Sequence, residues 1–261
     1  MEVRELRITA IANQKGGVGK TSTCVNLAAG LGLTGKKVLL VDMDPQGNTT
    51  SGLGLERGAL ETSVYDVLVE DAPVEKCAYD TAWKGVRIVP ATIDLAGAEI
   101  ELVSTISRES RLKKALVGLD GYDNVIVDCP PSLGLLTLNS LVASHSLIIP
   151  IQCEYYALEG LSQLMNTIEL VRTHLNAELY LDGLLLTMYD ARTRLSKDVA
   201  EEVRSRFPEK VYKVPIPRNV RISEAPSHGM PIQYYDTGSP GSTAYNKFTR
   251  EVLKKWRNNG V

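Results

Sequence analysis

Short apolar runs alternate with stretches of helical periodicity along most of the chain. Leu6–Ala12 and Val38–Val41 read as buried strands, apolar almost throughout rather than at every second position. Val86–Val89, Val125–Val127, Leu147–Ile151 and Leu181–Met188 repeat that pattern. After the first strand and the loop Asn13–Val18, Gly19–Leu33 carries Val25, Leu27, Ala28 and Leu31 at helical spacing, and Thr34-Gly35-Lys36-Lys37 breaks the pattern. Further helices are expected at Arg108–Leu119, Leu133–Ala143, Leu158–Leu175 and about Ser242–Trp256. Strands of this kind need cover on both sides, and their alternation with helices implies right-handed crossovers. The expected fold class is α/β, a mainly parallel twisted sheet flanked by helices on both faces. Gly52–Val86 is the least regular stretch and is expected to decorate that core. No repeat, low-complexity tract or Pro/Ser-rich linker divides the chain, so residues 1–261 are expected to form one domain.

Composition narrows this picture. With only 2 Phe and 2 Trp among 261 residues, the core must rest on aliphatic side chains, which suits buried parallel strands. No stretch reaches the roughly 20 apolar residues of a membrane-spanning helix. The acid-bearing N-terminus, Met1–Arg7, lacks the apolar run of a secretory signal, so a cytoplasmic location is expected. Cys24, Cys77, Cys129 and Cys153 form no Cys-x-x-Cys pair and read as reduced structural residues. His145, His174 and His228 have no metal-ligand spacing. The net charge of −2 is unevenly spread: Leu186–Val261 holds 14 basic against 8 acidic residues, and the rest holds 15 against 23. A basic C-terminal third on an acidic body hints at a polyanion, although a solvated surface is the commoner cause of such a bias.

The candidate chemistry begins between the first strand and first helix, at Lys15-Gly16-Gly17-Val18-Gly19-Lys20-Thr21. Glycines let backbone N–H groups turn inward around a phosphate, and the following helix adds unpaired N–H groups and a positive dipole end. Lys20 supplies a point charge, the Thr21 hydroxyl suits Mg²⁺, and Ser22 completes the segment. A glycine-rich turn without chemistry is the plain alternative, but the register between strand and helix weighs against it. Asp42 and Asp44 follow the second strand, at the end where ligands bind in such sheets. Asp44 is a candidate to orient an attacking water and to face Mg²⁺, whereas Asp42 is open between a structural and a metal-shell role. Asp128 ends the apolar run Val125–Val127 and is a candidate Mg²⁺ ligand, directly or through water.

One departure is informative: Gln14 stands where the ordinary G-x-x-x-x-G-K-[ST] loop has glycine, and Lys15 is an extra lysine. In this the chain resembles the deviant Walker A P-loop NTPases, a family that includes the ParA/Soj partition ATPases, the MinD division-site ATPases and the nitrogenase iron protein. Asp44-Pro45-Gln46-Gly47-Asn48, Asp128-Cys129-Pro130-Pro131, Gln152–Gly160, Ile216–Arg221 and Glu224–Ser227 resemble the ParA/Soj branch. The resemblance spans residues 8 to about 236, and it implies ATP with Mg²⁺ as cofactors and an ATPase that is weak alone. It implies that Lys15 reaches across an ATP-dependent homodimer to the partner's phosphates, and that Pro217–Asn219 contact adenine and ribose. It further implies non-specific double-stranded DNA binding by the dimer, stimulation by a ParB/Spo0J-type protein, and a nucleoid-associated role in chromosome or plasmid segregation. Because the phosphate-loop strand comes so early, no N-terminal helix-turn-helix domain is expected. Candidate DNA contacts are Arg192, Arg194, Arg218, Arg221, Lys247 and Arg250, with Lys254 and Lys255 behind them. Arg218 is open to a place in the nucleotide pocket instead.

Two other branches give rival expectations. Tyr245, Phe248, Val252 and Trp256 share one face of the last helix, opposite several basic residues, as in a MinD-like helix that lies on lipid. The plain alternative, and the one expected here, is that this face packs on the sheet. An iron–sulfur carrier would need cysteines from both protomers at the dimer axis, and neither Cys129 nor Cys153 sits in the iron protein's cluster motif.

Overall fold

The computed structural model describes residues 6–154 and 159–258. Strand β1 (Arg7–Ile11) leads through the glycine-rich loop into α1 (Lys20–Leu33), and β2 (Val38–Asp42) follows. Next come the short helices α2 (Asn48–Gly52), α3 (Val64–Val69) and α4 (Val74–Cys77), then β3 (Tyr79–Asp80) and β4 (Val86–Val89). Helices α5 (Leu95–Glu101) and α6 (Arg111–Leu116) precede β5 (Asn124–Asp128), and α7 (Leu135–Ala143) precedes β6 (Ser146–Gln152). Beyond them lie α8 (Glu159–His174), β7 (Tyr180–Thr187), α9 (Arg194–Arg206), α10 (Val220–Glu224), α11 (Ile232–Tyr235) and α12 (Pro240–Asn258).

The sheet order is β3-β4-β2-β5-β1-β6-β7, parallel except for the β3–β4 pair at its edge. Successive side chains of a strand point to opposite faces, and β2 shows the consequence. Val38 and Leu40 enter a core with α1 and α12, while Leu39 and Val41 enter another with α3 and α5. A third core joins β6 and β7 to α8 and α9. The expected helix-flanked, mainly parallel sheet is the architecture observed. From β1 the chain runs out to β2 and β4, returns to β5, and then crosses to β6 and β7. That reversal opens a crevice at the carboxyl ends of the central strands. There, register sets Asp128 of β5 between Ile11 of β1 and Asp42 of β2.

The C-terminal helix is fastened by more than its apolar face. Tyr245, Phe248, Val252 and Trp256 are buried, and Phe248 meets Tyr212 edge-on at 4.8 Å between ring centroids. Asp182, fully buried on β7, accepts hydrogen bonds from the Trp256 indole at 2.7 Å and the Tyr212 hydroxyl at 3.0 Å. Lys255 lies 3.4 Å from the same carboxylate and also reaches the Asp182 backbone carbonyl. The face that resembled a lipid-binding stripe is therefore core, and Lys255 is turned inward rather than toward a polyanion.

Several boundaries differ from expectation for identifiable reasons. The helix expected over Arg108–Leu119 ends at Leu116, because Val117 is extended and Gly118 takes φ +76°. Gly52–Val86 does not merely decorate the core: Val64, Val67, Leu68 and Val74 are buried within it. Helix α9 escapes the hydrophobic pattern because its buried stripe is only Ser196, Val199, Ala200 and Val203 on an otherwise charged helix. Strand β7 stops at Thr187, since Met188 turns to φ +50°.

Candidate functional site

The loop after β1 is held open by its own polar residues. The Asn13 amide donates to the Pro150 carbonyl at 2.7 Å, and Asn13 Oδ1 accepts from the Lys15 N–H at 3.0 Å. Gly17 and Gly19 adopt φ +73° and +90°, a left-handed conformation that a Cβ disfavours. Gly16 needs no such freedom, and a Cβ built there meets nothing within 4 Å. The Val18 carbonyl accepts from Thr187 Oγ1 at 2.8 Å, which pins the loop to the end of β7. Helix α1 has Gly19 as its N-cap and so lacks a side-chain cap, which leaves its leading N–H groups free to look into the loop.

The two lysines of the loop behave differently. Lys20 is folded in, 7% exposed, and its Nζ donates to the Lys15 carbonyl at 3.2 Å. Lys15 leans outward, with Nζ 3.6 Å from Glu154 Oε2 and its side chain 38% exposed. Glu154 also lies 3.3 Å from the Arg218 guanidinium and accepts from the Gln152 amide at 2.7 Å.

Asp128 and Asp42 face each other from adjacent strand ends. Thr21 Oγ1 and Thr49 Oγ1 both donate to Asp128 Oδ2, at 2.8 and 2.5 Å. Asp128 Oδ1 is buried with no hydrogen-bond partner. Burial pushes the Asp128 carboxyl above the usual carboxylate range, while the hydroxyls of Thr49 and Thr21, the Cys24 thiol and the charge of Lys20 pull it back. Asp42 accepts from the Asp44 N–H at 3.2 Å through Oδ1, and from Thr50 N–H at 2.9 Å and Oγ1 at 2.7 Å through Oδ2. Burial, then the charge of Asp128, raises Asp42 to about 7. Both Asp42 oxygens are thus engaged within the protein, unlike Asp128 Oδ1. The partnerless oxygen of buried Asp128, with the Thr21 hydroxyl beside that carboxylate, offers oxygen donors suited to a hard divalent cation such as Mg²⁺. Asp44 is 8% exposed in a tight turn, its Oδ1 accepting from Gln46 N–H at 3.0 Å and its carbonyl from Gly47 N–H at 2.8 Å.

A pocket of about 240 Å³ adjoins the loop, walled by Gly19 and Ser22 on one side and Ile216–Asn219 on the other. Backbone hydrogen bonds from Ile216 N–H to Leu186 at 2.8 Å and from Arg218 N–H to Tyr189 at 3.1 Å hold the second wall along the end of β7. Pro217 lines the pocket, and Asn219 Oδ1 caps α10 by accepting from Arg221 N–H at 3.1 Å. Met188, also at the wall, holds a left-handed φ that is costly for a non-glycine residue.

The structure thus gathers Lys15, Lys20, Thr21, Asp44 and Asp128 at one end of the sheet, with Ser22, Pro217 and Asn219 at the neighbouring pocket. Four of the basic candidates, Arg192, Arg194, Arg218 and Arg221, are paired with carboxylates. Arg192 grips Asp190 through two hydrogen bonds of 2.9 and 2.8 Å, which lowers Asp190 to about 2, and Arg194 lies 3.5 Å from Asp198. Arg221 pairs with Glu224 at 2.8 Å and Asp236 at 3.5 Å. Lys247, Arg250, Lys254 and Arg257 stand outward along one face of α12. Of the motif Gln152–Gly160, Tyr155, Tyr156, Ala157 and Leu158 lie outside the described residues. Burial drives the Cys129 thiol up to about 12 and Cys153 up to about 11, the reverse of what cluster ligation asks of a thiol. Sequence reasoning missed Asn13, Thr49, Thr50, Glu154 and Thr187. The one available signal was the Thr49-Thr50 pair directly after the Asp44 turn.

Comparison with known proteins places this geometry. The AAA domain family matches residues 6–181. The sporulation initiation inhibitor protein Soj of Bacillus subtilis is 61% identical over 94% of this chain and 98% of its own length. The chromosome partitioning protein ParA of Myxococcus xanthus is 52% identical over 95% of this chain and 88% of its own. A solved structure described as cobyrinic acid a,c-diamide synthase from Mycobacterium smegmatis, with bound ADP and magnesium, superposes with a TM-score of 0.86 at 42% identity, covering 98% of this chain and 97% of that one.

Proposed function

Because the chain belongs to the Soj/ParA family of chromosome-partitioning P-loop ATPases, we propose that it works as an ATP-driven dimerisation switch on DNA. In this reading residues 1–261 act as one domain. Gly16, Gly17, Val18, Gly19, Lys20, Thr21 and Ser22 hold the phosphates of ATP, and Pro217 and Asn219 hold the adenine and ribose. Thr21, Asp44 and Asp128 hold Mg²⁺, whose chemical contribution is to offset charge on the phosphates during transfer. Buried Lys20 adds the protein's own positive charge, and Asp44 orients the attacking water. Two protomers close face to face, Lys15 of each reaches the other's phosphates, and the doubled basic surface binds double-stranded DNA without reading sequence. Arg192, Arg194, Arg218, Arg221, Lys247 and Arg250 supply that surface. A ParB/Spo0J-type partner stimulates hydrolysis and returns monomers, in a cytoplasmic, nucleoid-associated cycle. The diamide synthase activity named for the Mycobacterium smegmatis protein is not carried over: the Soj relative is far more similar in sequence.

One observation carries the reading. Lys20 alone is folded into its own loop, while Lys15 points away beside Gly16, whose Cβ position is open space. A second lysine and a bare glycine on the outer surface of a phosphate loop are what an approaching protomer would use. Gly16→Val tests this, because nothing inside the protomer resists the side chain. With Mg²⁺ and a slowly hydrolysed ATP analogue, the unaltered protein should run as a dimer in light scattering. Gly16→Val should bind the nucleotide and remain a monomer, and a Gly16→Val dimer contradicts the sandwich.

A further inference from the structure

Helix α2 spans only five residues, yet Thr49 and Thr50 are both fully buried and each holds a different carboxylate. Thr49 Oγ1 donates to Asp128 Oδ2 at 2.5 Å, and Thr50 donates to Asp42 Oδ2 from both N–H and Oγ1. Consecutive residues on a helical turn point about 100° apart, which lets one turn reach two adjacent strand ends. Thr50 Oγ1 also accepts from the Ala91 N–H at 3.0 Å, tying the turn to the chain after β4. The same turn is the direct continuation of the Asp44 bend through Gly47, where a Cβ would stand 3.0 Å from the Ala91 carbonyl. Asp44 therefore has little freedom to move without pulling on the hydroxyl that fixes Asp128.

We propose that Thr49 is a positioning residue for ATP hydrolysis: its hydroxyl orients Asp128 toward Mg²⁺ and locks the Asp44 bend to that orientation. The inference rests on the assignment of Asp128 to the metal. Two donors, Thr21 and Thr49, converge on Oδ2, and this fixes the carboxylate plane and leaves Oδ1 as the oxygen available to a cation or its bound water. Thr21 sits in the phosphate loop and is itself a proposed metal ligand, whereas the Thr49 hydroxyl gives its hydrogen bond to the carboxylate. Thr49 thus does for Asp128 what outer-sphere partners do for metal ligands generally, where their loss weakens metal affinity about 10–100-fold.

The test is a Mg²⁺ titration of fluorescent ADP binding with the full chain. In EDTA, Thr49→Val should bind the ADP probe as well as the unaltered protein does. On adding Mg²⁺, Thr49→Val should need about tenfold more for half-maximal effect, while Thr49→Ser, which keeps the donor, should stay within about twofold of the unaltered protein. A side chain that only fills space gives the opposite ranking: valine, matching threonine in shape, would be normal and serine impaired. Equal Mg²⁺ requirements for Thr49→Val and the unaltered protein overturn the proposal. An ADP affinity of the unaltered protein that ignores Mg²⁺ overturns the metal assignment beneath it as well, so the two failures are distinguishable. Should Thr49→Val not fold, amide exchange in the unaltered protein decides. Mg²⁺ added to the ADP-bound form should slow exchange across residues 44–52, and unchanged exchange there contradicts the proposal.

Discussion

At the scale of single residues, position in the loop separates groups that look alike in sequence. Lys15 and Lys20 are five residues apart and carry the same charge, but one is exposed on Glu154 and the other is buried against the loop's own carbonyl. Lys20→Ala should lower turnover about a hundredfold or more and weaken nucleotide binding, measured by phosphate release and fluorescent ATP titration. At saturating Mg²⁺, Asp44→Ala should still bind ATP but lose about 10²–10⁴ in turnover, since it removes a group from a turn whose backbone hydrogen bonds persist. Normal hydrolysis by that variant would remove Asp44 from the mechanism. The loop residues were legible in sequence because phosphate binding demands particular dihedrals and donors at fixed spacing. Thr49 was not, since a threonine hydroxyl reveals its partner only once two distant strands have been brought together.

At the scale of elements, α12 has two separable faces. Phe248 and Trp256 belong to the core, and Phe248→Ala should cost about 3–5 kcal/mol of stability in denaturant unfolding, a loss expected of a large buried aromatic and not of a lipid-facing one. The outward face carries Lys247 and Arg250, and Lys247→Glu with Arg250→Glu should weaken DNA binding and flatten its dependence on salt while ATP binding is unchanged. Equal DNA affinity for the double variant would move the interface to the arginines around Arg221. The apolar pattern announced α12 and the central strands, because burial on that scale leaves a periodic trace. It did not announce α9, whose few buried side chains are diluted by charge, nor the contribution of α3, whose short helix has too few residues for a period to show. Which of the arginines share a surface is a property of the folded chain that spacing along the sequence does not carry.

At the scale of the whole molecule, the candidate nucleotide-binding residues all lie at the carboxyl end of the sheet. The outward lysine and the open glycine lie there too, where a second protomer would approach. In the proposed switch, nucleotide state, dimer closure and the doubling of a basic surface would be successive consequences of one binding event, with Asp44 and Asp128 setting how long the closed state lasts. The most direct test is binding of Asp44→Ala to non-specific duplex DNA, and in parallel to anionic vesicles, with ADP and with ATP across a range of salt concentrations. The account requires DNA binding that appears only with ATP and falls steeply as salt rises. DNA binding that is indifferent to nucleotide, or vesicle binding without DNA binding, would contradict it.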